Sequence, residues 1–256
     1  VTDAFNDKLN WQYNVTFAEE GKKKEVVSYY DGSLRNRQNV TQINSNNLTV
    51  VEEKIYDHQG RVGVNVLPTP VYGDSCNNEI NLPLDFIPNF TLDDTLNAYS
   101  KNDFDMDVSN CFSLAAPMSE TSGAAYYYSD SNQYKSAQQK YVPDADQYPF
   151  VQTEYTPDNT GRVRKKGGVG EDFQVGSSQE TEYLYGTPNQ IELDRLFGSE
   201  VGNASHYKKK AVIDPNGQAS ISYYDMKENV IATSLAGSVP VKNNDTILAP
   251  IASYDS

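Results

Sequence analysis

The chain has 256 residues, with 21 basic and 35 acidic side chains and a formal net charge of −14. This charge argues against nucleic-acid binding, which needs a basic surface. No apolar run approaches the roughly 18 residues of a membrane-spanning helix, so we expect no membrane span. Tyr (19) outnumbers Phe (9), and abundant Tyr, Thr, Asn and Asp favour strands joined by turns. We therefore predict an all-β fold of the extracellular kind.

The acidic excess is concentrated in the middle of the chain. Residues 74–159 hold 14 acidic and 3 basic side chains, whereas the segments on either side are nearly neutral. We therefore predict three parts: an N-terminal β-meander over 1–73, an acidic Tyr- and Asp-rich insertion or excursion over 74–150, and a second β segment over 151–256.

The first part alternates strand-forming runs with turn residues about every ten positions. This spacing is typical of antiparallel hairpins rather than of βαβ units. The predicted strands are Leu9–Phe17, Glu25–Tyr30, Arg35–Thr41, Leu48–Tyr56 and Arg61–Leu67.

The last part repeats this pattern and adds one short helix near 188–197. Thr187 is predicted as the N-cap, Pro188 as the first helical residue and Gln190 as the partner in a capping box, with Gly198 ending the helix. The predicted strands are Gln152–Tyr155, Arg162–Lys165, Glu180–Tyr185, Tyr207–Ile213, Gln218–Tyr224 and Val230–Leu235.

One short motif recurs between these strands, and Tyr56-Asp57-His58-Gln59-Gly60-Arg61 is its clearest copy. Asp favours the first position of a type I turn, and Gly favours the position that needs a positive φ. Tyr ends one strand and Arg begins the next, so we predict that the two pair across the hairpin. Asp-x-x-Gly turns occur in many β proteins, but several copies flanked by strands indicate a repeat. The other copies contain Tyr30, Asp31 and Arg35; Asp158, Gly161 and Arg162; Asp214 and Gly217; Tyr224 and Asp225.

The longer strings around these copies resemble the YD repeats of bacterial RHS proteins, which are large secreted or surface proteins often found in polymorphic toxin systems. The resemblance is carried by YYDGSLRNRQNVT, TVVEEKIYDHQGRVGVNVLP and YPFVQTEYTPDNTGRVRKKGGVGEDFQVGSSQETEYLYGTP. It implies antiparallel hairpins in a curved or spiral sheet, and a secreted or cell-surface location. It also implies that the partners are other segments of the same long polypeptide, with a secretion or surface protein as a further partner. We expect a piece of a longer chain, at or before the main repeat array, and do not transfer shell closure or self-cleavage to it.

Three alternate carboxylates in the acidic segment, those of Asp103, Asp105 and Asp107, form a candidate Ca²⁺ site. Calcium takes six to eight oxygen ligands, but a solvated acidic loop explains the same pattern. Cys76 and Cys111 are a candidate disulfide that would close a long loop, the alternative being two unrelated thiols.

Catalytic signatures are absent, since no HExxH, GxSxG or CxxC sequence occurs. We therefore predict a non-catalytic scaffold segment and no cofactor apart from the candidate Ca²⁺. The alternative is an extracellular binding module for carbohydrate or protein, dependent on Ca²⁺ if the acidic loop holds that ion.

Overall fold

The structure is a computed structural model that describes residues 9–43, 48–71, 84–88, 90–105, 115–121, 123–133, 135, 137–236, 241–242 and 245–246. The chain divides into two compact units. The first comprises Val1–Thr153 and Gly167–Ser177, and the second comprises Glu154–Lys166 and Ser178–Ser256. Both are built mainly from antiparallel strands, which confirms the predicted all-β fold class.

The sheet of the first unit begins as a meander in which the first five strands pair in sequence order. Its hydrogen-bonded order is β1-β2-β3-β4-β5-β7, and β6 pairs with β4. The predicted curvature of the sheet stays a prediction. The strands are β1 (Asn10–Phe17), β2 (Lys23–Tyr30), β3 (Asn36–Ile43), β4 (Leu48–Tyr56), β5 (Val62–Val66), β6 (Thr69–Val71) and β7 (Phe150–Tyr155), and a short helix, α1, covers Gly123–Tyr127.

The second unit continues the same style of pairing, in the order β8-β9-β10-β11-β12. The helix α2 lies in the connection between β9 and β10. The elements are β8 (Val163–Lys166), β9 (Thr181–Gly186), α2 (Gln190–Phe197), β10 (Lys208–Ile213), β11 (Ala219–Tyr224), β12 (Val230–Ala236) and a small separate hairpin of β13 (Val241–Lys242) with β14 (Asp245–Thr246).

A β-bulge lies beside the tyrosine that ends β2. Tyr29 pairs with Gln38 but Tyr30 pairs with Asn36, so Arg37 is an extra residue on β3. Such a bulge places two residues of one strand opposite one residue of its partner. The corresponding extra residues in the β4–β5 and β11–β12 hairpins are Gly63 and Ile231.

One face of the β2–β4 sheet is covered by a segment that follows β6. Val27, Tyr29 and Val40 are fully buried on this face and pack with Leu84. The Tyr29 hydroxyl donates to the Leu84 carbonyl (2.6 Å). The amide of Gln38 binds both backbone groups of Ile87 (2.9 and 3.1 Å). Residues from the acidic segment therefore supply part of the core of this unit.

The helix α2 covers the corresponding face of the second unit. Its N-cap is Asn189, whose side chain accepts from the Ile191 N–H (3.0 Å), while the Glu192 carboxylate accepts from the Asn189 N–H (3.2 Å). The predicted cap, Thr187 with Gln190, is wrong. Pro188 precedes the helix, which begins at Gln190, because Asn189 followed three residues later by Glu192 forms the capping box. The helix ends before Gly198 (φ +87°) as predicted.

A buried polar cluster fixes this helix to the sheet. The Lys209 ammonium donates to both oxygens of the Glu192 carboxylate (2.8 and 3.1 Å), and the Tyr223 hydroxyl also donates to it. Burial disfavours the ionised form of Glu192, but these hydrogen bonds and the Asn189 N–H outweigh it and hold the pKa of the carboxyl below its usual range. Beside the cluster, Leu193 is fully buried against the sheet.

We expect Leu193→Ala to destabilise the second unit by about 2–5 kcal/mol, because it removes buried methyl groups and leaves a cavity. The measurement is urea unfolding followed by tyrosine circular dichroism, with hydrogen exchange of α2. Ile191→Ala on the same helix is the control, since Ile191 is 62 % exposed, and we expect a change within about 0.5 kcal/mol. Equal effects of the two variants would contradict the docking of α2 on the sheet through Leu193.

Candidate functional site

The candidate site is the loop built on Asp57, which joins β4 to β5. The Asp57 N–H donates to the Arg61 carbonyl (2.9 Å), and the Gly60 N–H donates to the Asp57 carbonyl (2.9 Å). The Asp57 carboxylate oxygen Oδ1 accepts from the N–H groups of Gln59 and Arg61 (both 2.9 Å). Its other oxygen accepts from Nε of Arg61 (2.8 Å). The Asp57 side chain thus binds two backbone N–H groups of the five-residue loop, and two main-chain hydrogen bonds complete it.

Four of these hydrogen bonds recur at four other aspartates: the two between main-chain groups and the two from backbone N–H groups to the carboxylate. Their donor–acceptor distances are 2.8–3.1 Å. We call these five structures the Asp loops. Only the Asp is common to all of them, so its carboxylate is the determinant of the loop. The four further Asp loops begin at Asp31, Asp93, Asp214 and Asp225.

The fourth residue of every Asp loop has a positive φ. Gly60 and Gly217 adopt +78°, as glycine does readily. Leu34, Leu96 and Glu228 adopt +60°, +65° and +64°, which costs a residue with a Cβ some conformational energy. The hydrogen bonds of the loop therefore hold a strained residue in place.

The Asp158 copy departs from this pattern. In this loop the closing hydrogen bond runs from the Thr156 N–H to the Arg162 carbonyl (2.8 Å). The donor lies two residues before the Asp, so the loop is longer than the Asp loops. The Asp158 carboxylate accepts from the side chains of Thr156, Thr160 and Arg162. Gly161 still has a positive φ (+73°). The residues predicted as a repeat copy thus lie in a hairpin loop of a different length.

The pairing of Tyr and Arg differs from the prediction for Arg35 and Arg162. The Arg35 guanidinium lies over the ring of Tyr56, at the start of the next Asp loop (5.2 Å from guanidinium carbon to ring centroid), and the Tyr56 hydroxyl donates to the Asn36 carbonyl (2.7 Å). Arg162 lies in the same way over Tyr185 (4.9 Å), whose hydroxyl donates to the Val163 carbonyl (3.0 Å). The predicted pairing within one hairpin is therefore wrong here, because β4 and β9 bring the tyrosines to the end of the sheet where the earlier arginine lies.

Ionised aspartate is favoured in the loops that begin at Asp31, Asp57, Asp93 and Asp225. Partial burial opposes ionisation of Asp57 and Asp31, but backbone N–H groups and the arginine of each loop outweigh it and hold the pKa of both carboxyls below the usual range. Hydrogen bonds centred on Asn97 and Asn229 lower the pKa of Asp93 and Asp225. The hydrogen bonds of these four loops therefore favour the charged form of their carboxylates.

The candidate Ca²⁺ residues have protein partners. The Asp103 carboxylate accepts from the backbone N–H and hydroxyl of Ser100 (2.6 and 2.9 Å), and Asp105 pairs with Lys101. Asp107 lies outside the described residues, as do Cys76 and Cys111. Within the described part of the chain, no group of three or more His, Cys, Asp or Glu side chains is arranged to hold a metal ion.

The comparisons with known proteins assign no activity to this chain. Residues 6–116 match the model of a family described as a domain of unknown function (DUF6443). A search of curated proteins finds no match. In the described ranges, no helix is long and apolar enough to cross a membrane.

The Asp93 loop was not predicted from the sequence. It lacks the Tyr before the Asp and carries Leu96 where Gly is expected, so it does not match a pattern based on Tyr and Gly. The signal that could have found it is Asp followed four residues later by a polar side chain, here Asn97. The contacts of Arg35 and Arg162 with the following hairpin could also have been found. Their tyrosine partners, Tyr56 and Tyr185, lie 21 and 23 residues further along the chain.

We expect Gly60→Ala to destabilise the first unit by about 1–2 kcal/mol, because a Cβ is unfavourable at this φ. The added Cβ would lie 3.6 Å from the Arg35 side chain, an ordinary contact, so backbone conformation decides the cost. The matched control is Gly32→Ala, where φ is not positive and nothing lies within 4 Å. In contrast, Leu34→Gly should be neutral or stabilising, and urea unfolding followed by the single tryptophan, Trp11, measures all three. A large loss in Leu34→Gly would contradict the strain assigned to this position.

We also expect stability to fall at acid pH. The folded pKa of Asp57 lies below its unfolded value of about 3.9, so its contribution is complete above that value and is lost as the pH falls through the folded pKa. Thermal melts from about pH 6 to pH 2 should show a smaller acid loss in Asp57→Asn than in the wild type. Asp172→Asn, at an exposed site outside the Asp loops, should keep the wild-type profile. An unchanged profile in Asp57→Asn would refute the ionised loop.

Proposed function

We propose that this chain is a non-catalytic scaffold segment of an exported bacterial protein of the RHS, or YD-repeat, type, and that it builds part of a β-sheet surface. The observation that carries the proposal is one Asp loop with the same hydrogen bonds at five positions, four of which join consecutive strands of a sheet. A unit that encodes both its own turn and its pairing with the next strand suits a sheet extended by tandem copies. Its partners would be other segments of the same polypeptide and a secretion or surface protein.

Contacts between successive hairpins support this role. The Arg35 guanidinium closes the Asp31 loop through its Nε (2.7 Å to Asp31 Oδ2) and also lies over the ring of Tyr56 in the following hairpin. The same side chain therefore stabilises one loop and fixes its neighbour. Cation–π contacts of this kind contribute about 0.5–1 kcal/mol at exposed sites, so several copies would stiffen an extended sheet.

The outer strands also support a role within a larger sheet. Among the described residues, β1 and β12 each pair with a single neighbour, and neither carries a charged side chain. Natural proteins usually protect exposed edges with charges, proline or a covering segment. Trp11 and Phe17 of β1 lie on the same face of the sheet as the buried Tyr29 of β2, yet they are 45 % and 76 % exposed. Strands supplied by neighbouring segments would cover both edges.

The test compares this chain with a longer one encoded by the same reading frame. We expect the 28.5 kDa chain alone to form oligomers that grow with concentration, because uncharged edges pair with one another. The extended chain should be monomeric and should add further Asp loops. Light scattering coupled to size exclusion measures both.

Edge charges provide the control for this experiment. Asn14→Lys with Thr233→Lys places a charge at exposed positions of β1 and β12, and we expect it to convert the oligomers to monomers. Gln133→Lys with Ser199→Lys adds the same charge at exposed positions outside the strands and should leave them unchanged. A wild-type chain that is monomeric at every concentration and unfolds cooperatively would overturn the scaffold proposal.

A further inference from the structure

The outward face of the second unit carries a concentration of positive charge that the scaffold role does not use. We define this basic face as Arg162, Arg164 and Lys166, which lead into and along β8, Lys208 and Lys210 on β10, and Tyr183 and Tyr185 on β9 between them. Because side chains alternate along a strand, Arg164 and Lys166 point away from Lys165, which binds Glu180 and Glu182 on the opposite face. In register, Lys210 lies beside Tyr185, and Val212 lies beside Tyr183.

Carboxylates are absent from this face in the strands β8 to β12. The only acidic residue in these strands is Glu182, and it lies on the opposite face, paired with Lys165 (2.8 Å). Two of the cations are neutralised by loops, since Arg162 binds Asp158 and Lys208 binds Glu228. Within the described part of the chain, Arg164, Lys166 and Lys210 have no carboxylate within 4.0 Å.

The spacing of these cations has a defined period. Residues two apart on a strand are separated by about 6.6 Å, so Arg164 and Lys166 on β8 have that spacing, and Arg162, which directly precedes the strand, is paired with Asp158. An extended peptide with a carboxylate at every second residue has the same repeat, and its side chains on one face would meet Arg164 and Lys166 in register. Arg and Lys bind carboxylates by charge-assisted hydrogen bonds.

The aromatic rings of the face argue for a peptide rather than a single-stranded nucleic acid. Nucleic acid strands bind by stacking bases on open aromatic rings. Here Lys210 lies over the rings of both Tyr183 (4.9 Å) and Tyr185 (5.7 Å), and Arg162 also lies over Tyr185 (4.9 Å). The rings therefore hold the cations in position and are not open platforms for bases.

We propose that the basic face of the second unit docks an extended acidic peptide segment of a partner protein, with Asp or Glu at alternate positions. Arg164, Lys166 and Lys210 would contact the carboxylates, and Tyr183 and Tyr185 would position the cations. The proposal does not depend on the scaffold role, because it concerns a face of the sheet and not its edges.

The test uses two synthetic peptides of about twelve residues with identical composition, one with Glu and Thr alternating and one with all Glu residues in a single block. Binding to the intact chain is measured by fluorescence anisotropy at low ionic strength, where surface charges are least screened. We expect the alternating peptide to bind at least about fivefold more tightly than the block peptide. Equal binding of the two peptides, or no binding, would overturn the proposal.

Matched variants locate the site. Arg164→Gln with Lys166→Gln removes two exposed cations and should weaken the alternating peptide by about tenfold or more. The control, Arg195→Gln with Lys227→Gln, removes one Arg and one Lys at exposed positions of the same unit outside the basic face and should change affinity less than about twofold. Equal losses in both variants would show unspecific attraction and overturn the assignment. Displacement of the peptide by lower concentrations of single-stranded DNA or heparin would overturn the choice of a peptide.

Discussion

The structure depends on one interaction: an aspartate carboxylate that accepts two backbone N–H groups from its own loop. In the loop at Asp57 these donors belong to Gln59 and Arg61, and the chain is closed by two further backbone bonds. A carboxylate can accept several hydrogen bonds, and bonds to a charged acceptor are stronger than neutral ones. This allows the rest of the loop to vary, including its fourth residue, where Leu34 and Glu228 take a backbone conformation that suits glycine.

In each unit, a buried tyrosine anchors the segment that covers the sheet. Tyr29 and Tyr223 occupy matching places in the sequences SYYDG and SISYYDM, one residue before the strand-ending tyrosine. Tyr29 binds the carbonyl of Leu84, whereas Tyr223 binds the carboxylate of Glu192 on α2. The tyrosine hydroxyl thus lies at the same place in both repeats, and it binds two segments of unrelated sequence. The strands that carry the tyrosine are therefore repeated, whereas the segments that cover the sheet differ between the two units.

Strands and turns were predictable from the sequence because they depend on local patterns. Leu48–Tyr56 was predicted with its observed bounds, since alternation and the flanking Asp loop define it. Features that join distant residues were not predictable. The cluster of Glu192, Lys209 and Tyr223 is such a feature, because it depends on where α2 docks on the sheet. The candidate Ca²⁺ site stays a prediction, because Asp107 lies outside the described residues.

The bulge beside Tyr30 determines which side of β3 belongs to the core. With the extra residue Arg37, Tyr29 lies opposite Gln38 and Val27 opposite Val40, and Gln38 and Val40 are buried. Without it, pairing would continue from Tyr30 and Asn36 in simple order, and Arg37 and Asn39 would face the core instead. The β4–β5 hairpin has the same one-residue shift. Its extra residue, Gly63, places Val64 and Val66 on the buried face. The bulge beside Tyr30 thus shifts the inward and outward positions of β3 by one residue, and it leaves Arg37 exposed near the start of that strand.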